Sequence, residues 1–472
     1  MRERRNEDVR AELEAIARRA LAFAKADETR VTIDQSTIGQ TRFAGAEITT
    51  SGGAADRSVT VTSTIGRRRA SATTNVADDE ALRRTVDLAE RLARLSPEDP
   101  ELMPELGPQQ YATIAAYDAR TASLDAAQRA DAVAAAIAAA KAVDPAQDLF
   151  VAGYLEANAQ PGRLVATSKG LLAFHATTDV SLSTTVRTPD GTGSGWASGG
   201  AREWGRLDAA ALGRRAAQKA VASRNPVAVE PGRYTVILEP QAVADLVPLL
   251  LGAFNARTAE EGRSPFSKRG AAPSAPGQPG PTRLGEKIAD ARVTLLSDPT
   301  DPEIRGAPFD AEGLPLRRRV WIENGVLKTL AYSRYWAQRR GVPAEMAGGG
   351  AGGFGGGGGG GGGAGLKMLG GDQTLEQLVA STERGVLVTR NWYIRALDPR
   401  TASFTGLTRD GTFLIENGKV SRSIKNFRWN ESPLLMLDRV VALGHAERVA
   451  AGMVMPSLKI ADFNFASISE AV

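Results

Sequence analysis

Tyr234-Thr235-Val236-Ile237-Leu238-Glu239-Pro240, continuing to Pro248-Leu249-Leu250-Leu251-Gly252-Ala253, is the stretch on which the reading of the fold turns. Its first five residues are a β-branched, apolar run of strand length, the signature of a buried strand. Proline suits the first turn of a helix, where its missing N–H costs nothing, so Pro240 marks a strand-to-helix corner. The helix expected over 240–253 carries Ala242, Val243, Leu246, Val247 and Leu249–Leu251 on more than one face, which predicts a buried element. Just upstream, Pro226, Pro231 and Gly232 break the chain, and the domain boundary is placed there. The expectation is an N-terminal α+β domain over 1–228 and a C-terminal β-rich domain over 229–472.

Outward from this corner, the C-terminal half reads as strands and hairpins. Ile322-Glu323-Asn324-Gly325 and Ile415-Glu416-Asn417-Gly418 each set Asn-Gly between apolar alternating runs, as a tight hairpin turn with positive φ requires. Residues 292–296 read as a further strand. The fold class expected is α+β, with a mixed α/β N-terminal domain and a mostly antiparallel, barrel-like C-terminal one. In the N-terminal half, 8–25 and 78–95 have helical apolar periodicity, and Ser123-Leu124-Asp125 opens an alanine-rich helix to about Val143. Residues 30–34 and 58–62 alternate with strand period. Segments 264–282 (Gly, Pro, Ser, Ala) and 348–365 (almost all glycine) are read as flexible loops, with too little apolar surface to offset their ordering entropy.

The bulk numbers bound the function. A hydrophobic fraction of 42% with 24% charged residues suits a globular protein, and no apolar run reaches bilayer-spanning length. Residues 1–25 lack the apolar core of a secretory signal, so a cytoplasmic location is expected. The net charge is only +4 and the arginines are spread along the chain, which disfavours a nucleic-acid partner. There is no cysteine, and His175 and His445 are the only histidines, so soft-metal and thiol chemistry have almost no residues to use. His175 sits in an apolar strand-like run and reads as a core histidine. His445 reads as a residue at the end of an apolar helix over 434–443. The carboxylates Asp298, Asp301, Glu303, Asp310 and Glu312 read as an acidic loop. The alternative is a hard-cation site. Gly191–Gly200 matches neither G-x-S-x-G nor G-x-G-x-x-G and reads as a glycine-rich turn where backbone meets backbone or a peptide. No catalytic residue is assigned. Aromatic and polar groups in the second half, Trp392, Tyr393, Asn426 and Phe427, are the candidate contacts for an extended peptide.

Several segments together resemble the TldD/PmbA family: 254–264, 305–328, Glu383–Arg390, Asp410–Gly418, Lys425–Arg428 and Met455–Phe465. The resemblance implies a two-domain chain in a cytoplasmic heterodimeric metalloprotease that acts on unfolded peptides. It implies a zinc-bearing TldD-type subunit with His-Glu-x-x-x-His, and a PmbA (TldE) type subunit without it. Aligned on that motif, Pro248 and Ala253 stand at the histidine positions and Leu249 at the glutamate position. The chain is therefore similar to the metal-free subunit, with no cofactor of its own, zinc expected in a TldD-like partner, and an extended peptide as the bound substrate. The alternative is a stand-alone homodimeric peptide-binding protein without hydrolytic activity. The family's older label, modulator of DNA gyrase, supports a nucleic-acid or gyrase partner only weakly.

Overall fold

The computed structural model describes residues 6–268, 278–348 and 365–469. The N-terminal half is a six-stranded antiparallel sheet in the order β3-β2-β1-β4-β5-β6. Its strands are β1 (Glu28–Ala44), β2 (Glu47–Ile65), β3 (Arg68–Thr74), β4 (Phe150–Thr167), β5 (Leu172–Arg187) and β6 (Ser194–Ala201). Side chains alternate across it. Val31, Ile33 and Phe43 of β1 lie on the face covered by α1 (Asn6–Phe23), α2 (Asp79–Leu95), α4 (Ala126–Lys141) and α5 (Ala209–Ala222), with the short α3 (Ala119–Ala122) ahead of α4. The opposite face is polar: the Tyr154 hydroxyl donates to Glu156 (2.6 Å) and lies 2.7 Å from the Gln40 amide oxygen, and Asn158 reaches Glu156 and Asp179.

Local chemistry sets the helix starts. Asp78 caps α2 and Asp125 caps α4 in a capping box with Gln128, so the expected helices begin where an N-cap side chain can accept an orphan N–H. The expected glycine-rich turn at 191–200 is instead mostly strand β6. A Cβ on Gly195 would lie 2.1 Å from the Ala216 carbonyl oxygen, and one on Gly193 2.3 Å from that of Ala220. These glycines let α5 lie directly on the strand backbone, so the close approach is between two backbones.

The second sheet has thirteen strands along the path β10-β9-β8-β11-β19-β7-β12-β15-β16, with β17, β14, β13 and β18 branching from it. Its strands are β7 (Gly232–Leu238), β8 (Leu295–Ser297), β9 (Arg319–Glu323), β10 (Val326–Leu327), β11 (Leu366–Met368), β12 (Arg384–Val388), β13 (Asn391–Asp398), β14 (Ser403–Thr408), β15 (Thr412–Glu416), β16 (Lys419–Ser423), β17 (Phe427–Glu431), β18 (Val440–Ala450) and β19 (Met453–Ile468). Its helices are α6 (Pro240–Leu246), α7 (Ala256–Glu260), α8 (Arg334–Arg340), α9 (Leu375–Ala380) and α10 (Pro433–Asp438). The sheet is mixed, because β11·β19 and β12·β7 run parallel. Among the described residues no pairing closes it, so the barrel-like expectation is corrected to an open sheet whose path ends at β10 and β16.

Both Asn-Gly hairpins form, with Asn324 and Asn417 at φ 49° and 52°, each followed by a positive-φ glycine. The strand expected from 292 starts at Leu295. The apolar run 434–443 splits: α10 stops at Asp438 and Val440 enters β18, so His445 lies in a strand and not at a helix end. Of the two expected loops, 269–277 and 349–364 lie outside the described residues. Their flanks are ordered: Phe266 is buried, Ser267 bridges to Thr282, and the Gly348 N–H donates to the Tyr332 carbonyl (3.0 Å). No helix among the described residues is long and apolar enough to cross a membrane.

Candidate functional site

Strand β7 ends where the opening stretch of sequence predicts a corner, and the chemistry gathers there. Glu239 occupies the N-cap position of α6 with Pro240 next to it, yet its side chain makes no capping bond. The carboxylate turns toward the N-terminal half, where it accepts from Lys219 Nζ (2.7 Å) and Arg215 (3.0 Å), both on α5. Lys219 also reaches the Trp196 carbonyl of β6 (3.4 Å), and Arg215 pairs with Glu447 of β18 (3.4 Å). The Lys219 and Glu239 side chains are 11% and 6% exposed. Burial pushes the Lys219 ammonium below its ordinary pKa, against the opposing pull of Glu239.

This buried pair floors a cleft of about 620 Å³ between α5 and the second sheet. Leu375, Leu387, Phe413 and Val420 give it an apolar wall, and Arg214, Glu376 and His445 line it with polar groups. Strand β16, which carries Val420, ends the sheet path, and Lys419–Arg422 are exposed. Near the far end of α6, Asp245 accepts from the Asn391 N–H (2.7 Å) and from Gln241 (2.9 Å). Burial is the largest influence on its carboxyl and pushes it up to about 6. Beyond it, Arg390 lies over the rings of Trp196 (4.0 Å) and Trp392 (4.9 Å) and pairs with Asp410 (2.9 Å), which also accepts from the Ser194 hydroxyl (2.7 Å). Ser194 is thus a buried tie between the two sheets.

The residues singled out from sequence do not gather in one place. Pro248, Leu249 and Ala253 lie in a 3-10 segment, Val247–Phe254, that continues α6. Pro248 lacks an N–H for the Ala244 carbonyl and its ring crowds it, so α-helical winding stops there. Val247, Leu250, Leu251 and Phe254 are buried, as expected of a buried element, while Pro248, Leu249 and Ala253 stay half-exposed. None of the three offers a nitrogen, sulfur or carboxylate donor, so these positions do not fit zinc. Among the described residues no group of three or more His, Asp or Glu could hold a metal ion. The acidic segment is spent on structure: Lys367 pairs with Asp301 and Glu303, Arg334 pairs with Glu312, and Asp310 accepts from the backbone of Glu312 and Leu314. Trp392 and Tyr393 are exposed on β13. Phe427 is fully buried, stacked on Phe465 (4.5 Å between ring centres), because alternation along β17 turns it into the core; as a peptide contact it is corrected. The Asn426 amide oxygen accepts from Thr408 and Thr412. His175 is buried on β5, and His445 is exposed on the cleft.

Sequence reasoning missed Glu239, Lys219, Arg215 and Asp245. The one local signal was a carboxylate directly before Pro240 at a strand end, where a cap is expected and none forms.

Comparison with known proteins gives the following. Residues 231–467 match the profile described as PmbA/TldA metallopeptidase C-terminal domain, and residues 119–224 the corresponding central domain. A metalloprotease of Methanothermobacter thermautotrophicus is 26% identical over 297 residues, and the match spans only 60% of this chain and 60% of that relative. TldE from Thermococcus kodakarensis superposes with a TM-score of 0.81 at 21% identity, covering 96% of this chain and 99% of that one. A putative modulator of a DNA gyrase from Thermotoga maritima gives 0.80 at 20% identity, covering 96% and 100%. At these identities the structural matches speak for the fold alone.

Proposed function

The chain belongs to the PmbA/TldD metallopeptidase family, and on that premise we propose that it is the zinc-free, PmbA/TldE-like subunit of a TldD-type metalloprotease in the cytoplasm. The observation that carries this reading is the segment Val247–Phe254. It keeps the place after the β7–α6 corner, but Pro248, Leu249 and Ala253 bring no metal donor there. A zinc peptidase needs the metal to acidify water and a carboxylate to take the proton, and these side chains do neither. The chain's own contribution is then to bind and orient. The apolar wall of Leu375, Leu387, Phe413 and Val420 takes side chains of an extended peptide, and the outer edge of β16 offers backbone donors and acceptors to its main chain. Zinc would come from a TldD-like partner.

The experiment is purification of the chain alone and co-expressed with a TldD-like chain, followed by mass, zinc content and peptidase assay with and without chelator. The expected result is little zinc and no cleavage from the chain alone, and a heterodimer whose activity a chelator removes. Stoichiometric zinc and strong cleavage by the isolated chain would overturn the proposal. The exposed pair Trp392 and Tyr393 on β13 favours one second reading, a homodimeric peptide-binding protein. A stable homodimer that ignores the TldD-like chain would select it.

A further inference from the structure

Far in the chain from the β7–α6 corner, α4 closes over the middle of the first sheet and leaves a cavity of about 350 Å³. That volume is within the usual range for small-ligand sites. Its floor is two cross-strand rows of very small side chains. Ala157, Gly39 and Gly53 face each other across β4, β1 and β2, and Ala159, Thr37 and Ala55 form the neighbouring row. A core packed to ordinary density would fill the space above such a floor with larger side chains. Here one charged group enters it, the guanidinium of Arg129 from the first turns of α4, 5% exposed.

The partners of Arg129 do not neutralise it. Nη1 donates to the Leu124 carbonyl (3.0 Å), Nε to the Thr41 hydroxyl (3.3 Å) and Nη2 to the Gly52 carbonyl (3.4 Å). All three acceptors are uncharged, and two of the contacts are at the long limit for such bonds. Among the described residues no carboxylate makes an ion pair with it. A guanidinium carries five N–H donors in a planar fork, so capacity remains beyond these three bonds. An unneutralised buried cation is expensive. Gly39 lies directly under it, since a Cβ there would be 2.5 Å from Nη1, so the cation sits on the cavity floor.

We propose that this cavity is a binding site for a small carboxylate with a short aliphatic body, such as the free C-terminal end of a short apolar peptide. The carboxylate meets the Arg129 fork, whose geometry matches it. The body lies along the alanine and glycine floor under Ala122 and Leu124. Among the described residues Arg129 is the one charged side chain lining the cavity, which suits a ligand with a single negative charge.

The test is calorimetric titration of the full chain with N-acetyl-alanyl-alanine, with the same dipeptide as its C-terminal amide, and with inorganic phosphate. The expected result is binding of the acid, with the amide weaker by about tenfold or more, as loss of a charge-assisted contact requires. Arg129→Met should lose the binding. Because that variant removes three anchoring hydrogen bonds and could unfold, Ala55→Phe is the second variant: Ala55 is the exposed outer end of the second floor row, so a phenyl ring there obstructs the cavity and leaves Arg129 in place. It should reduce acid binding about tenfold with thermal stability close to the parent's, because Ala55 is exposed. Equal binding of acid and amide, unchanged acid binding in Ala55→Phe, or phosphate binding tighter than the acid would each overturn the assignment.

Discussion

Replacing Lys219 with methionine, Glu239 with glutamine, and then both together tests what the buried pair beneath the cleft does. Lys219 Nζ and Glu239 are 2.7 Å apart and nearly sealed from solvent. The lowered Lys219 pKa says that burial outweighs the attraction of its partner. The charged pair is then a net cost relative to neutral groups of the same shape, although each charge depends on the other. Lys219→Met leaves the Glu239 carboxylate with Arg215 alone, and Glu239→Gln leaves the ammonium facing neutral oxygens. Glu239→Gln, which leaves the buried ammonium without a countercharge, should cost about 3 kcal/mol, and Lys219→Met, which leaves Glu239 its Arg215 partner, should cost less. The double variant buries no unpaired charge, Arg215 keeps Glu447, and methionine nearly preserves the lysine volume, so its cost should be within about 1 kcal/mol of the parent. The loss in the double variant should fall well short of the sum of the two single losses. Urea unfolding at pH 7, followed by tryptophan fluorescence, measures all four proteins. A double variant as unstable as the sum of the singles would refute the reasoning.

Two pH effects of opposite sign accompany it. Burial first, then Arg202 and Arg163, hold the His175 imidazole down at about 4 against an ordinary 6.5. The unfolded chain therefore takes up that proton at higher pH than the folded one. This contribution is complete above about pH 6.5 and is lost as pH falls, by about 3 kcal/mol near pH 4. In an NMR titration the His175 ring should stay neutral at pH 5, and charging above pH 6 would contradict the burial argument. Asp245 runs the other way. Its carboxyl, raised to about 6 from 3.8, holds a proton in the folded state that the unfolded chain releases, so stability falls as pH rises through that window. Asp245→Asn keeps an oxygen for the Asn391 N–H and should gain up to about 3 kcal/mol at pH 7 and nothing at pH 4. Denaturation at both pH values checks it, and a loss at pH 7 would count against it.

What was legible in the sequence was what local chemistry encodes. Asp78 and Asp125 announce helix starts, Asn324-Gly325 and Asn417-Gly418 announce hairpins, and Tyr234–Leu238 announces a buried strand, each within a few residues of chain. The run 434–443 misled because α10 and the start of β18 are both apolar, and pairing of Val440 with Ile460 of β19 decided its second half. The glycines of β6 misled because three of them in eight residues obscure its period; their reason is the backbone of α5, which lies 2.1 Å from where a Cβ on Gly195 would be. The cleft was illegible for a related reason. Glu239 meets Lys219 and Arg215 only when α5 of one layer docks on the β7–α6 corner of the other, and sequence spacing carries no trace of that docking.

Strand β19 has one more implication, for the order in which the protein is assembled. It hydrogen-bonds to β7, β11, β17 and β18, and its pairing of Leu458 with Leu238 spans most of the second half of the chain. Until Met453–Ile468 has left the ribosome, β7, β11 and β17 each lack one of their two neighbours and β18 lacks its partner. Contacts this distant in sequence form slowly, and the waiting edges invite adhesion to other nascent polypeptides. The second half therefore cannot mature piecemeal during synthesis, and chaperone protection matters most in the interval before its final hairpin emerges.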